Sequence, residues 1–147
     1  MKEGRKKHMS KTAIVFWSGT GNTEAMAQAV KEGMEAKGAE VTVMGPSEFT
    51  ADMVGNYDAI AFGCPAMGAE VLEESEFEPM FASVESSLGQ KKVGLFGSWG
   101  WGNGLWMEEW QARTEAAGAL TVPYVICMEA PDAAALAECK ALGEALA

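Results

Sequence analysis

The chain has a single histidine, His8, and it lies in a basic opening stretch, so the body of the protein lacks imidazole for acid–base relay or metal ligation. Cysteine is scarce too. Cys64, Cys127 and Cys139 are odd in number and form no C-x-x-C pair, which disfavours a zinc site or redox dithiol and fits a reducing, cytoplasmic compartment. No run approaches the ~20 apolar residues of a membrane span, and no apolar segment follows the basic opening, so neither a membrane anchor nor a secretory signal is expected. Positive charge is also in short supply: 11 Lys+Arg stand against 21 Asp+Glu, a formal net of -10. Residues 1–11 hold Lys2, Arg5, Lys6, Lys7 and Lys11 against Glu3, which leaves 6 basic and 20 acidic side chains beyond them, a net of -14. A body so acidic repels phosphate backbones and steers toward basic surfaces, which disfavours nucleic acid as a partner.

What is present is the material of one domain: 147 residues, 48% hydrophobic and 22% charged. Residues 1–9 read as a disordered leader or cloning remnant ahead of a single domain spanning 10–147; residues 1–8 either precede an original start at Met9 or are a disordered native arm. Short apolar runs at Thr12 to Trp17, Val41 to Met44, Ala59 to Gly63, Lys92 to Gly97 and Leu120 to Cys127 predict five strands. Several are nearly continuous in apolar residues, as in parallel strands covered on both faces.

Helical spacing joins Met26, Val30 and Met34, then Phe77, Met80, Phe81, Val84 and Leu88, then Trp106, Trp110 and Arg113. A last helix follows Pro131, with Asp132 as its N-cap and Leu136, Cys139, Leu142 and Leu146 on one face. Between residues 45 and 56 the pattern is weaker, and Thr50 is the cap of a brief helix there. Strands alternating with helices require right-handed crossovers and a doubly wound α/β sheet. Ligands bind such sheets at the carboxyl ends of the strands, beside the switch in strand order.

Three segments at those ends are unusual. After the first strand stands Ser18-Gly19-Thr20-Gly21-Asn22-Thr23, leading into a helix that begins near Glu24. Two glycines permit a tight path, and hydroxyls, the Asn22 amide and helix N-terminal N–H groups can point donors at a phosphate. A Walker loop would carry Lys and then Ser or Thr after its last glycine, and a dinucleotide fingerprint would have a third glycine at position 24. Glu24 stands there, and the loop has no Lys or Arg, so a terminal monophosphate held by neutral donors suits it better than a metal-bound triphosphate.

After the fourth strand, Gly97-Ser98-Trp99-Gly100-Trp101-Gly102-Asn103-Gly104 interleaves two indoles with glycines, an arrangement suited to a flat heterocycle. After the third, Cys64-Pro65-Ala66-Met67-Gly68-Ala69-Glu70 supplies a thioether for a ring face and a carboxylate. A Cys-x5-Arg phosphatase loop would need Arg at position 70, where Glu70 stands, so Cys64 reads as structural. The Glu129-Ala130-Pro131 loop after the fifth strand points to the same end of the sheet.

Taken together, SGTGNT at 18–23, CPAMG at 64–68, EESEFEP at 73–79 and GSWGWGNG at 97–104 resemble the short-chain flavodoxins. The resemblance spans about residues 10–147. It implies a flavodoxin-like sheet of strand order 2-1-3-4-5 and one flavin mononucleotide (FMN), bound without a covalent bond. Ser18, Gly19, Thr20, Gly21, Asn22 and Thr23 would hold the phosphate. Trp101 would stack on the outer face of the ring and Met67 on the inner, with Pro65, Ala66, Ser98 and Trp99 around them. Backbone groups at Gly100, Trp101 and Gly102 would meet the pyrimidine edge, Glu70 would accept from the ring N3–H, and the peptide after Gly68 would turn its carbonyl toward N5–H.

The family usually has a polar residue or glycine where Ala69 stands; a Cβ there in a positive-φ turn costs about 1 kcal/mol, or roughly 40 mV. The function implied is a monomeric, low-potential one-electron carrier, not an enzyme. It would cycle mainly between semiquinone and hydroquinone and serve larger redox enzymes with basic docking surfaces. The acidic residues Glu70, Glu73, Glu74, Glu76 and Glu78 would oppose the last electron. An NAD(P)H-consuming reductase and a non-redox phosphate binder remain open as alternatives.

Overall fold

The structure is a computed structural model that describes residues 10–19, 21–67, 71–100 and 104–147. In chain order the elements are β1 (Lys11–Phe16), α1 (Asn22–Ala36), β2 (Glu40–Met44), β3 (Ala59–Gly63), α2 (Phe77–Val84), β4 (Lys92–Trp99), α3 (Leu105–Ala116), β5 (Leu120–Thr121), β6 (Val125–Met128) and α4 (Ala133–Leu146). The strands run parallel in the order β2-β1-β3-β4-β5, and β6 pairs with β4 farther along.

The expected fifth strand is therefore two segments in one position at the sheet edge. Pro123 lies in the gap, and a residue without an N–H cannot donate to a ladder. The stretch from 45 to 56, the weakest in the sequence pattern, forms two 3₁₀ turns, Pro46–Glu48 and Ala51–Asn56; Thr50 stands at the N-cap of the second as expected, but its hydroxyl donates to the Asp52 carboxylate (2.6 Å) and caps no backbone N–H.

Alternation along each strand divides the core in two. Ala13, Val15, Ile60, Phe62, Val93 and Leu95 face α2 and α3, where they meet Phe77, Phe81, Trp106 and Trp110. Edge-to-face contacts order that layer, with ring centroids 5.2 Å apart for Phe62–Phe81 and 5.4 Å for Phe77–Trp110. Ile14, Ala59, Ala61 and Phe96 face α1 and α4 and meet Met26, Val30, Met34, Leu142 and Leu146. All five residues of β3 are buried, as a central strand covered on both faces requires, whereas most of β2 at the edge is exposed.

The two helices of the second layer touch backbone to backbone. A Cβ on Gly33 of α1 would fall 1.9 Å from the Lys140 carbonyl oxygen, and one on Gly143 of α4 would fall 2.0 Å from that of Val30. Each glycine costs its helix about 1 kcal/mol relative to alanine, a cost offset by the close approach it allows. Position and tilt of α1 are thereby fixed against α4.

Candidate functional site

Three strand-end segments converge on one cavity of about 570 Å³ at the carboxyl edge of the sheet. From the first segment come Gly19 and Asn22, from the second Pro65, Ala66 and Met67, and from the third Ser98, Trp99 and Gly100. Ser18, Gly21 and Thr23 do not line it; they shape the loop that does. Thr20, Gly68, Ala69, Glu70, Trp101 and Gly102 lie outside the described residues.

In the first segment, the Trp17 N–H donates to the Gly63 carbonyl at 3.0 Å, so β1 and β3 stay joined up to the loop. Helix α1 then starts earlier than the sequence pattern suggests, at Asn22, because its N-cap is Gly21 in the left-handed conformation, φ 95°. Few residues but glycine adopt that conformation cheaply. The Ser18 hydroxyl oxygen accepts from the N–H groups of Gly21 (3.1 Å) and Glu24 (3.3 Å). This leaves the N–H groups of Asn22 and Thr23 without an acceptor among the described residues. Thr23 is buried, and its hydroxyl lies 3.4 Å from that of Ser98, tying the loop to the end of β4.

The second segment is anchored at both ends. The Cys64 N–H donates to the Phe96 carbonyl (3.1 Å), its carbonyl accepts from the Trp106 indole (3.4 Å), and its sulfur accepts from the Glu73 N–H (3.3 Å). Burial pushes the Cys64 thiol up to about 12, against the opposing pull of the Glu73 N–H, so it is a structural thiol as expected. Past it, Ala66 N–H donates to the Ser98 carbonyl (3.0 Å), and Met67 and Val71 exchange backbone bonds of 2.9 and 3.0 Å that close a short hairpin.

Glu73 ends the segment, buried. One carboxylate oxygen takes the N–H groups of Glu76 and Phe77, each at 2.8 Å, and the other takes Ser75 through its N–H (2.9 Å) and its hydroxyl. Burial alone would raise its pKa, but the Ser75 hydroxyl and the N–H groups of Phe77, Ser75 and Glu76 together hold it below the ordinary carboxylate range.

The acidic group expected around the ring thus divides by role. Glu73, three residues before the N-cap Glu76, closes the start of α2 by accepting from the Glu76 and Phe77 N–H groups, and Glu74 and Glu76 are exposed. Glu78 is held by Arg113, which bonds both its carboxylate oxygens at 2.8 Å and also reaches Glu85. Phe81 lies under the guanidinium at 4.9 Å.

In the third segment β4 continues beyond Gly97 to Trp99, because β6 extends the ladder there: Ser98 pairs with Cys127 and Trp99 with Met128. The Glu129 N–H donates to the Trp99 carbonyl at 2.7 Å, and Glu129 itself has φ 55°, a left-handed conformation unusual outside glycine. Glu129 and Ala130 line the cavity, as the direction of their loop suggested. Trp17 also lines it and was missed: its apolar character assigned it to the first strand, which ends one residue earlier. Its signal was its place directly before the glycine loop.

The residues fit a phosphorylated flat ring. The volume is within the usual range for ligand pockets of roughly 300–1,000 Å³. Its walls include Trp17, Pro65, Met67 and Trp99, and among the described residues no Lys or Arg lines it. A helix start whose Asn22 and Thr23 N–H groups find no acceptor among the described residues meets one end, suited to an anion. Among the described residues nothing stands within 4 Å of where a Cβ of Gly100 would be. Among the described residues no group of three or more His, Cys, Asp and Glu could hold a metal ion, and no helix is long and apolar enough to cross a membrane.

Fold and site together define a doubly wound α/β domain of the mononucleotide-binding class. The Flavodoxin family model matches residues 14–143. The chain is 51% identical over 134 residues to a flavodoxin of Megasphaera elsdenii, covering 91% of this chain and 96% of that one. It is 40% identical to a flavodoxin of Clostridium beijerinckii, with 91% and 97% covered. The solution structure of two-electron reduced Megasphaera elsdenii flavodoxin superposes with a TM-score of 0.85 at 50% identity, again covering 91% and 96%. The chain belongs to the flavodoxin family, and with that it is an FMN-binding electron carrier and not an enzyme.

Proposed function

We propose that the protein carries single electrons at low potential between larger redox enzymes, as a monomer in the cytoplasm. The observation that carries this reading is the glycine-capped start of α1, with two N–H groups open and no cation in the largely apolar cavity beside it among the described residues. FMN supplies the one-electron chemistry when bound. The protein's share is to hold the phosphate on Gly19, Asn22 and the neighbouring loop groups, and to hold the ring between Met67 and Trp101 with Trp99 and Gly100 at its edge.

The low potential follows from charge. Among the described residues no lysine or arginine lines the cavity to favour negative charge on a ligand, and exposed Glu74 and Glu76 oppose it. A single carboxylate ~12 Å away, at an effective dielectric constant of ~40, raises an anion by roughly 0.7 kcal/mol, about 30 mV for a one-electron step. Glu78 adds less than a lone carboxylate would, since Arg113 bridges it and Glu85 and offsets one of their two charges.

Docking on basic partner surfaces is supported by the acidic body, and Val71, Leu105 and Met128 offer apolar contact near the cavity, being 40%, 43% and 58% exposed. Three free cysteines suit a reducing compartment. A visible spectrum of the purified protein followed by dithionite titration tests the reading. Two resolved one-electron steps, the second at strongly negative potential, are expected. One two-electron step at mild potential, or rapid oxidation of NADPH, would overturn it.

A further inference from the structure

Trp17 is held on two sides. Its N–H is bonded to Gly63 and its side chain packs against the core layer that faces α2 and α3, while the outer ring of the indole reaches Gly19 of the loop. A Cβ built on Gly19 would stand 3.0 Å from Cη2 of that ring and 3.3 Å from Cζ3. The backbone of Gly19 is not in the left-handed region, so its conformation alone would accept any residue. A side chain there would press on the indole, which would have to give by a few tenths of an ångström.

This contact matters because the loop grips with neutral donors. Without Lys or Arg, its hold on an anion depends on donors already aimed, and ordering glycine is entropically expensive. An aromatic wall fixed to the core supplies that aim. We propose that Trp17 is a positioning residue for the phosphate loop: its indole holds Gly19, and so sets how strongly the protein prefers FMN to unphosphorylated riboflavin. The proposal rests on the FMN reading and goes beyond it by assigning phosphate selectivity to a residue of the strand end.

The test titrates the apoprotein and its variants with FMN and with riboflavin, followed by flavin fluorescence. Trp17→Ala removes a cavity wall from both flavins, so riboflavin should weaken too, but FMN should weaken by about tenfold more. The ³¹P resonance of bound FMN should shift. Trp17→Phe keeps an aromatic ring on the core but loses the outer ring that reaches Gly19, so it should fold normally and show the same selective loss. Gly19→Ala should weaken FMN in the parent, and the double variant Trp17→Ala with Gly19→Ala should bind no more weakly than Trp17→Ala alone.

Equal loss of both flavins, no loss of either, or losses that multiply in the double variant would overturn the proposal. Parent apoprotein that bound riboflavin but gained nothing from the phosphate would overturn it while leaving a flavin site in place. Parent apoprotein that took up neither flavin would sink the cofactor reading as well.

Discussion

Helices α1 and α4 lie side by side on one face of the sheet and start at the same end of it, yet their first turns are built in opposite ways. Asp132 caps α4, its Oδ1 accepting from the Ala135 N–H at 2.8 Å. Gly21 stands at the same position of α1 and has no side chain to offer. Helix α2 repeats the closed pattern with Glu73. Carboxylates close the starts of α2 and α4, whereas α1, like α3 with Gly104 at φ 83°, starts on a left-handed glycine without a side-chain cap, and it is the start of α1, through Gly19 and Asn22, that lines the cavity.

The strongest way to break this contrast is to make α1 resemble α4. Gly21→Asp places a carboxylate where the phosphate is to sit. Two anions ~5 Å apart at an effective dielectric constant of ~20 repel by about 3 kcal/mol, so FMN affinity should fall 100-fold or more in a fluorescence titration. The apoprotein should stay folded, since Asp tolerates the left-handed region better than most residues.

Opening a closed start should instead cost stability. Glu73→Ala leaves the N–H groups of Glu76 and Phe77 without their acceptor and should destabilise the apoprotein by about 2 kcal/mol in urea denaturation. Because the folded-state pKa of Glu73 is depressed, its contribution is complete above the unfolded value of about 4.3 and is lost as pH falls through the lower folded value. Glu73→Gln should therefore flatten the acid limb of a stability–pH curve, a point that melts at successive pH values would settle. The smallest effect belongs to Asp132→Ala: about 1 kcal/mol of stability by the same denaturation, with FMN affinity unchanged. A change in affinity there would blur the distinction between the two helices.

Much of this was legible in the residues. Strand β3 came out with its ends at Ala59 and Gly63, because five buried residues in sequence leave no room for another pattern. Asp132 was readable as a cap from its place after Pro131. The split of the fifth strand was not, since Pro123 interrupts an apolar run whose composition alone reads as continuous. Nor was the division among the acidic residues. That Glu73 turns inward to close the start of α2 and Glu78 is claimed by Arg113 depends on contacts between elements that the sequence lists far apart. Trp17 escaped for a related reason: an indole beside a strand looks like core until the loop it touches is placed.

The glycine contact between α1 and α4 bears on how such a carrier behaves over many cycles. Each turnover changes the charge in the cavity beside the start of α1, and a helix seated on flexible side chains could slide in response. With main chain resting on main chain at Gly33 and Gly143, there is no interlayer to re-pack. The donors stay where they are while the electron comes and goes.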